Sequence, residues 1–109
     1  MRQIGRLRNR VSILERATTL DSLGRQVRSD SAWVETCRPF AAIRELSGNE
    51  AEQARQISAE ATILIEIWWR PGVSSQNRVR FGDRTFEIRA AIDPDAQKRD
   101  LFLYCSEAR

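Results

Sequence analysis

Hydrophobic and polar positions alternate with a period of two along most of this chain, as half-buried β-strands require. Over residues 8–16, Val11 and Ile13 share one face, while Asn9, Ser12 and Arg16 supply polar positions. Residues 18–25 read as a loop, with Asp21 and Gly24 supplying turn chemistry. Extended structure resumes from Val27 to Cys37, with Trp33 as its expected core anchor, and Pro39 marks an edge position or a bend. In Phe40–Leu46, Ala41 and Ile43 alternate with Phe40, Ala42 and Leu46. Ala61–Arg70 is the strongest strand pattern: Ile63, Ile65, Ile67 and Trp69 form a core face, and Thr62, Leu64, Glu66 and Trp68 a partly polar one. Pro71-Gly72 stops it. Arg78–Phe81 and Thr85–Arg89 flank Gly82-Asp83, a hairpin signature with glycine in the first turn position. Asp93-Pro94-Asp95 predicts another turn, and Leu101, Leu103 and Cys105 alternate through a last strand.

One segment breaks the period. After the strand at residues 41–46, Ser47-Gly48-Asn49-Glu50 has the form of a capping box. In that box the Ser47 hydroxyl accepts from the Glu50 amide and the Glu50 carboxylate returns to the Ser47 amide. A helix over residues 48–56 follows, with Ala51 and Ala54 as its apolar stripe and Glu50, Glu52, Gln53 and Arg55 around them. Burying two methyl groups gains about 1–2 kcal/mol, and so short a helix is marginal alone. The segment is therefore expected to be mobile, or held by something outside its own domain. The expected fold is mainly β: a small antiparallel β-barrel or sandwich of six to seven strands, with one short helix inserted after the central strand.

A length of 109 residues fits a single domain, 1–109. Hydrophobic residues make up 41% and charged residues 30%, values of a globular rather than a disordered chain. No apolar run approaches the roughly 20 residues that span a bilayer, and the N-terminal charges precede no apolar segment, so neither membrane insertion nor secretion is expected. The net charge is +3, and of the 18 basic residues only Lys98 is lysine. Arginine suits protein interfaces and nucleic-acid contact alike, and a GC-rich genome also enriches it, so the bias alone decides nothing.

Histidine is absent, which removes the commonest general base and the commonest metal ligand together. Cys37 and Cys105 are far apart in sequence; the alternatives are a disulfide, if the fold brings them together, or free buried thiols. Asp93 and Asp95 flank a turn proline, and Glu50 and Glu52 diverge on a helix. No catalytic, cofactor-binding or metal site is expected.

Several pieces occur in an order that one family shares: Ile4-Gly-Arg-Leu-Arg-Asn-Arg-Val-Ser-Ile13, then Phe40-Ala-Ala-Ile-Arg-Glu-Leu-Ser-Gly-Asn-Glu50 with Ala54-Arg-Gln56, then Val79-Arg-Phe-Gly-Asp-Arg-Thr-Phe-Glu-Ile88 and Leu101-Phe-Leu-Tyr-Cys105. Together they resemble the phage head-tail joining proteins (head closure, or stopper) of tailed phages and gene transfer agents. The family pattern has tryptophan where this chain has Phe40, and an arginine-rich strand where it has Ile65-Glu-Ile-Trp-Trp69.

The resemblance implies a non-enzymatic neck component made in the producer-cell cytoplasm and then built into the particle. It would form a six- or twelve-fold ring with itself, meet portal and adaptor proteins on the head side and tail terminator or tail tube proteins on the other, and lie near double-stranded DNA without reading it. The segment bordering the channel would include Ser47, Asn49, Glu50, Glu52, Gln53, Arg55 and Gln56. Arg78, Arg80, Arg84 and Arg89 would make subunit contacts or an ordinary solvated face. Trp68 would complete a local cluster or anchor a neighbour. The competing reading is a small basic OB-like nucleic-acid-binding module, which would need outward aromatics among its basic residues.

Overall fold

A computed structural model describes residues 7–20, 23–24 and 26–108, the side chains of 18–20 and 26–31 excepted. It contains eight antiparallel strands and one helix: β1 (Asn9–Arg10), β2 (Ser12–Leu20), β3 (Gln26–Cys37), β4 (Phe40–Glu45), α1 (Gly48–Ile57), β5 (Ile63–Trp68), β6 (Arg78–Phe81), β7 (Arg84–Ile92) and β8 (Asp100–Glu107). The strands form one sheet in the order β1-β4-β5-β8-β7-β6-β2-β3. Its two ends continue into strands already inside it. Only Val11 separates β1 from β2, and Arg38-Pro39 separates β3 from β4. The sheet is thus a curled half-barrel whose circuit is completed by one long hairpin.

Pro39 explains the break between β3 and β4. It has no N–H to give the ladder, but its carbonyl still accepts from the Val11 amide at 3.0 Å. The expected bend is therefore found. Along β2, pairing with β6 is confined to Ser12–Leu14. Beyond it β2 and β3 pair only with each other among the described residues, with register shifts after Ile13 and after Arg16.

This hairpin corrects two expectations. Thr18–Leu20 is strand rather than loop; Asp21 lies outside the described residues, and Gly24 has φ +81°. Trp33 is not a core anchor. It sits opposite Arg16, past the last β6 pairing, where no inner sheet face exists to cover it. Its ring instead lies under the guanidiniums of Arg78, at 4.4 Å, and Arg16, at 5.5 Å.

The core is the inner face of the barrel: Val11 and Ile13, Ala41, Ile63, Ile65 and Ile67, Val79, Phe86 and Ile88, and Leu101, Leu103 and Cys105. Strands β4, β5, β7 and β8 contribute alternate residues, so the two-residue period maps onto the wall as expected. Trp69 is half-buried against this core. β5 runs between β4 and β8, and its outer-face residues Leu64 and Glu66 are buried as well.

Phe81 pairs with Arg84 across Gly82-Asp83, and Gly82 has φ +63°, the value the hairpin signature demands of its first turn residue. In the β7–β8 connection the carboxylates of Asp93 and Asp95 accept backbone N–H groups of Lys98 at 2.9 Å and Gln97 at 3.3 Å, and Asp95 pairs with Arg99. Those side chains build the loop. Cys37 and Cys105 are free thiols. No helix of the described residues is long and apolar enough to cross a membrane.

Candidate functional site

α1 is carried as an insert between two adjacent strands. The Leu46 amide donates to the Thr62 carbonyl at 3.0 Å and closes its stem, and at the far end the Ser58 amide donates to the Ala54 carbonyl at 2.9 Å. The expected capping box does not form. Ser47 is extended, its side chain makes no cap hydrogen bond, and only its carbonyl joins the helix, accepting from Ala51 at 3.4 Å. The Glu50 carboxylate is taken instead by the guanidinium of Arg44 on β4. A charged donor outcompetes a backbone amide, and Arg44 stands one strand-end away.

Arg44 also reaches Glu66 on β5 at 3.6 Å, where the carboxylate side chain is 9% exposed. Glu50, Arg44 and Glu66 thus tie the helix to the outer face of the sheet. Ala54 is the buried helical residue and Ala51 is half-buried. Ser47, Asn49, Glu50, Glu52, Gln53, Arg55 and Gln56 are all exposed. Among the described residues, the side chains of Asn49, Glu52, Gln53, Arg55 and Gln56 make no hydrogen bond or ion pair.

The arginines of the β6–β7 hairpin are mostly engaged within their own barrel. Arg78 pairs with Glu87 at 3.1 Å. Arg84 holds Glu107 through two parallel bonds of 3.1 and 2.9 Å, and that carboxylate raises the Arg84 pKa above its ordinary value. Arg89 meets Glu60 and Glu87, each at 2.8 Å, and donates to Ser106 at 2.9 Å. Arg80 is exposed and makes no such pair among the described residues.

A cleft of about 700 Å³ lies at the opposite end of the β4–β5 pair, lined by Arg38, Pro39, Phe40, Trp68, Trp69 and Arg70, with Leu7 beside them. Phe40 is 51% exposed and Trp68 46%. The two are brought together by register: Ala41 pairs with Ile67, so the residue before one and the residue after the other project outward side by side. The Arg10 guanidinium lies 4.8 Å from the Phe40 ring and the Lys98 ammonium 5.4 Å from the Trp69 ring. Sequence reading singled out Trp68 alone. The signal for Phe40 was its alternation with the core residue Ala41.

These surfaces are solvent-facing and multivalent; among the described residues no group of three or more His, Cys, Asp or Glu is placed to hold a metal ion. The observation that decides the class is a match over nearly the whole sequence: residues 2–108 fit the pattern of the phage head completion proteins. The chain belongs to the phage head completion protein family. It is thus a structural phage-particle protein, as the resemblance had implied.

Two solved structures share the fold. Protein SF1141 from Shigella flexneri 2a, determined in solution, is 24% identical, with a TM-score of 0.69 over 98% of this chain and 97% of that one. A chain of the virion of a native gene transfer agent particle is 18% identical, with a TM-score of 0.60 over 94% of this chain and 96% of that one. No curated protein matches the sequence.

Proposed function

We propose that this head completion protein forms a ring in the neck of a phage or phage-like particle, joins the head to the tail, and helps retain packaged DNA. The observation that carries the reading is the face of α1. It is a helix held to its own domain by one buried alanine and one ion-pair cluster, with its other polar side chains unengaged. Such an element gains its remaining partners from neighbours, and a full-length match to the head completion family supports a particle as their source.

In this reading Ser47, Asn49, Glu50, Glu52, Gln53, Arg55 and Gln56 face the ring interface or channel, Arg80 and Trp68 meet other subunits, and Arg78, Arg84 and Arg89 shape the barrel wall that supports them. Assembly occurs in the producer cell, with portal or adaptor proteins on one side and tail terminator or tube proteins on the other. Double-stranded DNA is a passive neighbour within the channel. An OB-like module would need outward aromatics on the β6–β7 hairpin, but Phe86 is fully buried and Phe81 packs against the core.

The test is light scattering and negative-stain microscopy of the chain mixed with the adaptor and tail proteins of its own particle. Ring-sized species attached to one of them are expected; failure to associate with either would overturn the reading.

A further inference from the structure

The aromatic cleft is an opening in the barrel wall. Pairing between β4 and β5 stops at Ala41 and Ile67, yet each strand runs on with its other neighbour: Phe40 with Arg10 on β1, Trp68 with Asp100 on β8. The two strands part at this end, and the cleft opens where they separate, lined by apolar side chains and by Arg38 and Arg70. Its cations differ from those of the β6–β7 hairpin. Arg78, Arg84 and Arg89 each hold a carboxylate of their own barrel. At the cleft, Arg38 meets Glu35 at 3.5 Å, but Arg10 gives its Nε proton to the Arg38 carbonyl rather than to an acid. Among the described residues, the Arg70 guanidinium and the Lys98 ammonium make no hydrogen bond or ion pair. The strand pairing brings one acid, Asp100, beside Trp68.

We propose that this opening binds an extended acidic segment of another protein, with an apolar side chain seated between Phe40 and Trp68 and carboxylates held by Arg70 and Lys98. The inference rests on the proposed function in one respect, that the protein supplying the segment is a head-side or tail-side neighbour. Exposed aromatics at the centre with uncompensated cations around them form the pattern of a desolvated anchor inside a charged rim. The rim selects the sign of the segment and the centre supplies the affinity. A second copy of this chain is a poor source. Its Glu50, Glu60, Glu87 and Glu107 are already held by Arg44, Arg89, Arg78 and Arg84, and its exposed Ile57 follows Arg55 in the last turn of α1. A single-stranded nucleic acid also fits less well. Arg10 and Lys98 already lie over Phe40 and Trp69, and Leu7 and Pro39 offer no ring for a base to stack on.

The experiment measures fluorescence anisotropy of a labelled short peptide of alternating glutamate and leucine with the full chain. A lysine–leucine peptide, a glutamate-only peptide and a poly-dT oligonucleotide are run beside it. The glutamate–leucine peptide should bind most tightly and weaken as salt rises. Trp68→Ala should weaken it roughly tenfold or more. Arg70→Glu, an exchange that leaves the aromatic lining intact, should do the same and turn the preference toward the lysine–leucine peptide. Arg80→Ala, outside the cleft, should leave binding unchanged. In a mixture with the particle's own adaptor and tail proteins, benzoylphenylalanine in place of Arg38 should photocross-link to an acidic segment of one of them.

Equal binding of the two leucine peptides, or binding that ignores both Trp68→Ala and Arg70→Glu, overturns the proposal. Tighter binding of poly-dT, lost in Arg70→Glu, overturns it in favour of nucleic acid. Rings or complexes that form while position 38 links to a second copy, or to nothing, overturn it and leave the ring reading intact. Selective peptide binding by a chain that associates with neither neighbour supports the cleft and contradicts the ring reading instead.

Discussion

Two cysteines of one chain have different environments. Cys37 is half-buried between Thr36 and the core, while Cys105 is fully enclosed and burial alone pushes its thiol up to about 12. A thiolate is the reactive form, so in the native protein a thiol reagent should label Cys37 readily and Cys105 only at the rate of unfolding. Equal native labelling of both would contradict the barrel interior described above. The same shift has a sign in stability. The unfolded chain loses this proton near pH 9.0, the folded one only near 12, so stability is unaffected below pH 9 and falls as pH rises through that window. The slope should be about 1.4 kcal/mol per pH unit, read as the difference between wild type and Cys105→Ala in urea melts. A second residue-scale prediction concerns Gly82, whose φ of +63° favours glycine although open space surrounds it. Gly82→Ala should cost about 1–2 kcal/mol from backbone strain alone.

Among elements, α1 shows what sequence can and cannot reveal. Its place, length and polar character were legible, because alanine at helical spacing between two strand patterns admits little else. The cap was not, because Arg44 is a strand residue whose reach across to Glu50 depends on how the insert folds back. Trp33 failed for a related reason. Its alternation was right, but the barrel wall ends before it, and only the register of β2 against β6 shows where. By contrast the core face of β5, the Gly82-Asp83 hairpin and the Asp93 turn depend on local chemistry, and each was found where the pattern put it. The candidate site was half visible: Trp68 stood out by its size, while its partner Phe40 emerges only when β4 and β5 are paired.

The ion-pair cluster gives an element-scale prediction. Glu50 is half-exposed and its bond to Arg44 is a surface pair, so Glu50→Ala should change stability by no more than about 0.5 kcal/mol. Arg44→Ala removes in addition a partner of Glu66, whose carboxylate is nearly buried, and should cost about 1–3 kcal/mol. Equal effects in denaturant melts would show that Arg44 does not hold the helix to the sheet in this way. Hydrogen exchange should likewise find α1 amides opening faster than those of β5, since one buried alanine anchors the helix while β5 is enclosed on both faces.

At the scale of the molecule, one barrel carries several exposed attachments. β4 and β5 deliver a polar helix to one end and an aromatic cleft to the other, and the hairpin of β2 and β3 extends past the wall. Several different exposed surfaces on one small domain fit a protein that touches several neighbours, as a member of the head completion family in an assembled particle does. The most direct test is a cryo-electron microscopy reconstruction of the particle that carries this protein, with the barrel fitted into the neck. A closed ring of this fold between head and tail is expected, with residues 46–58 at the lumen or at the contact between subunits. A neck complete without the barrel, or a ring in which α1 faces open solvent with no neighbour, would contradict it.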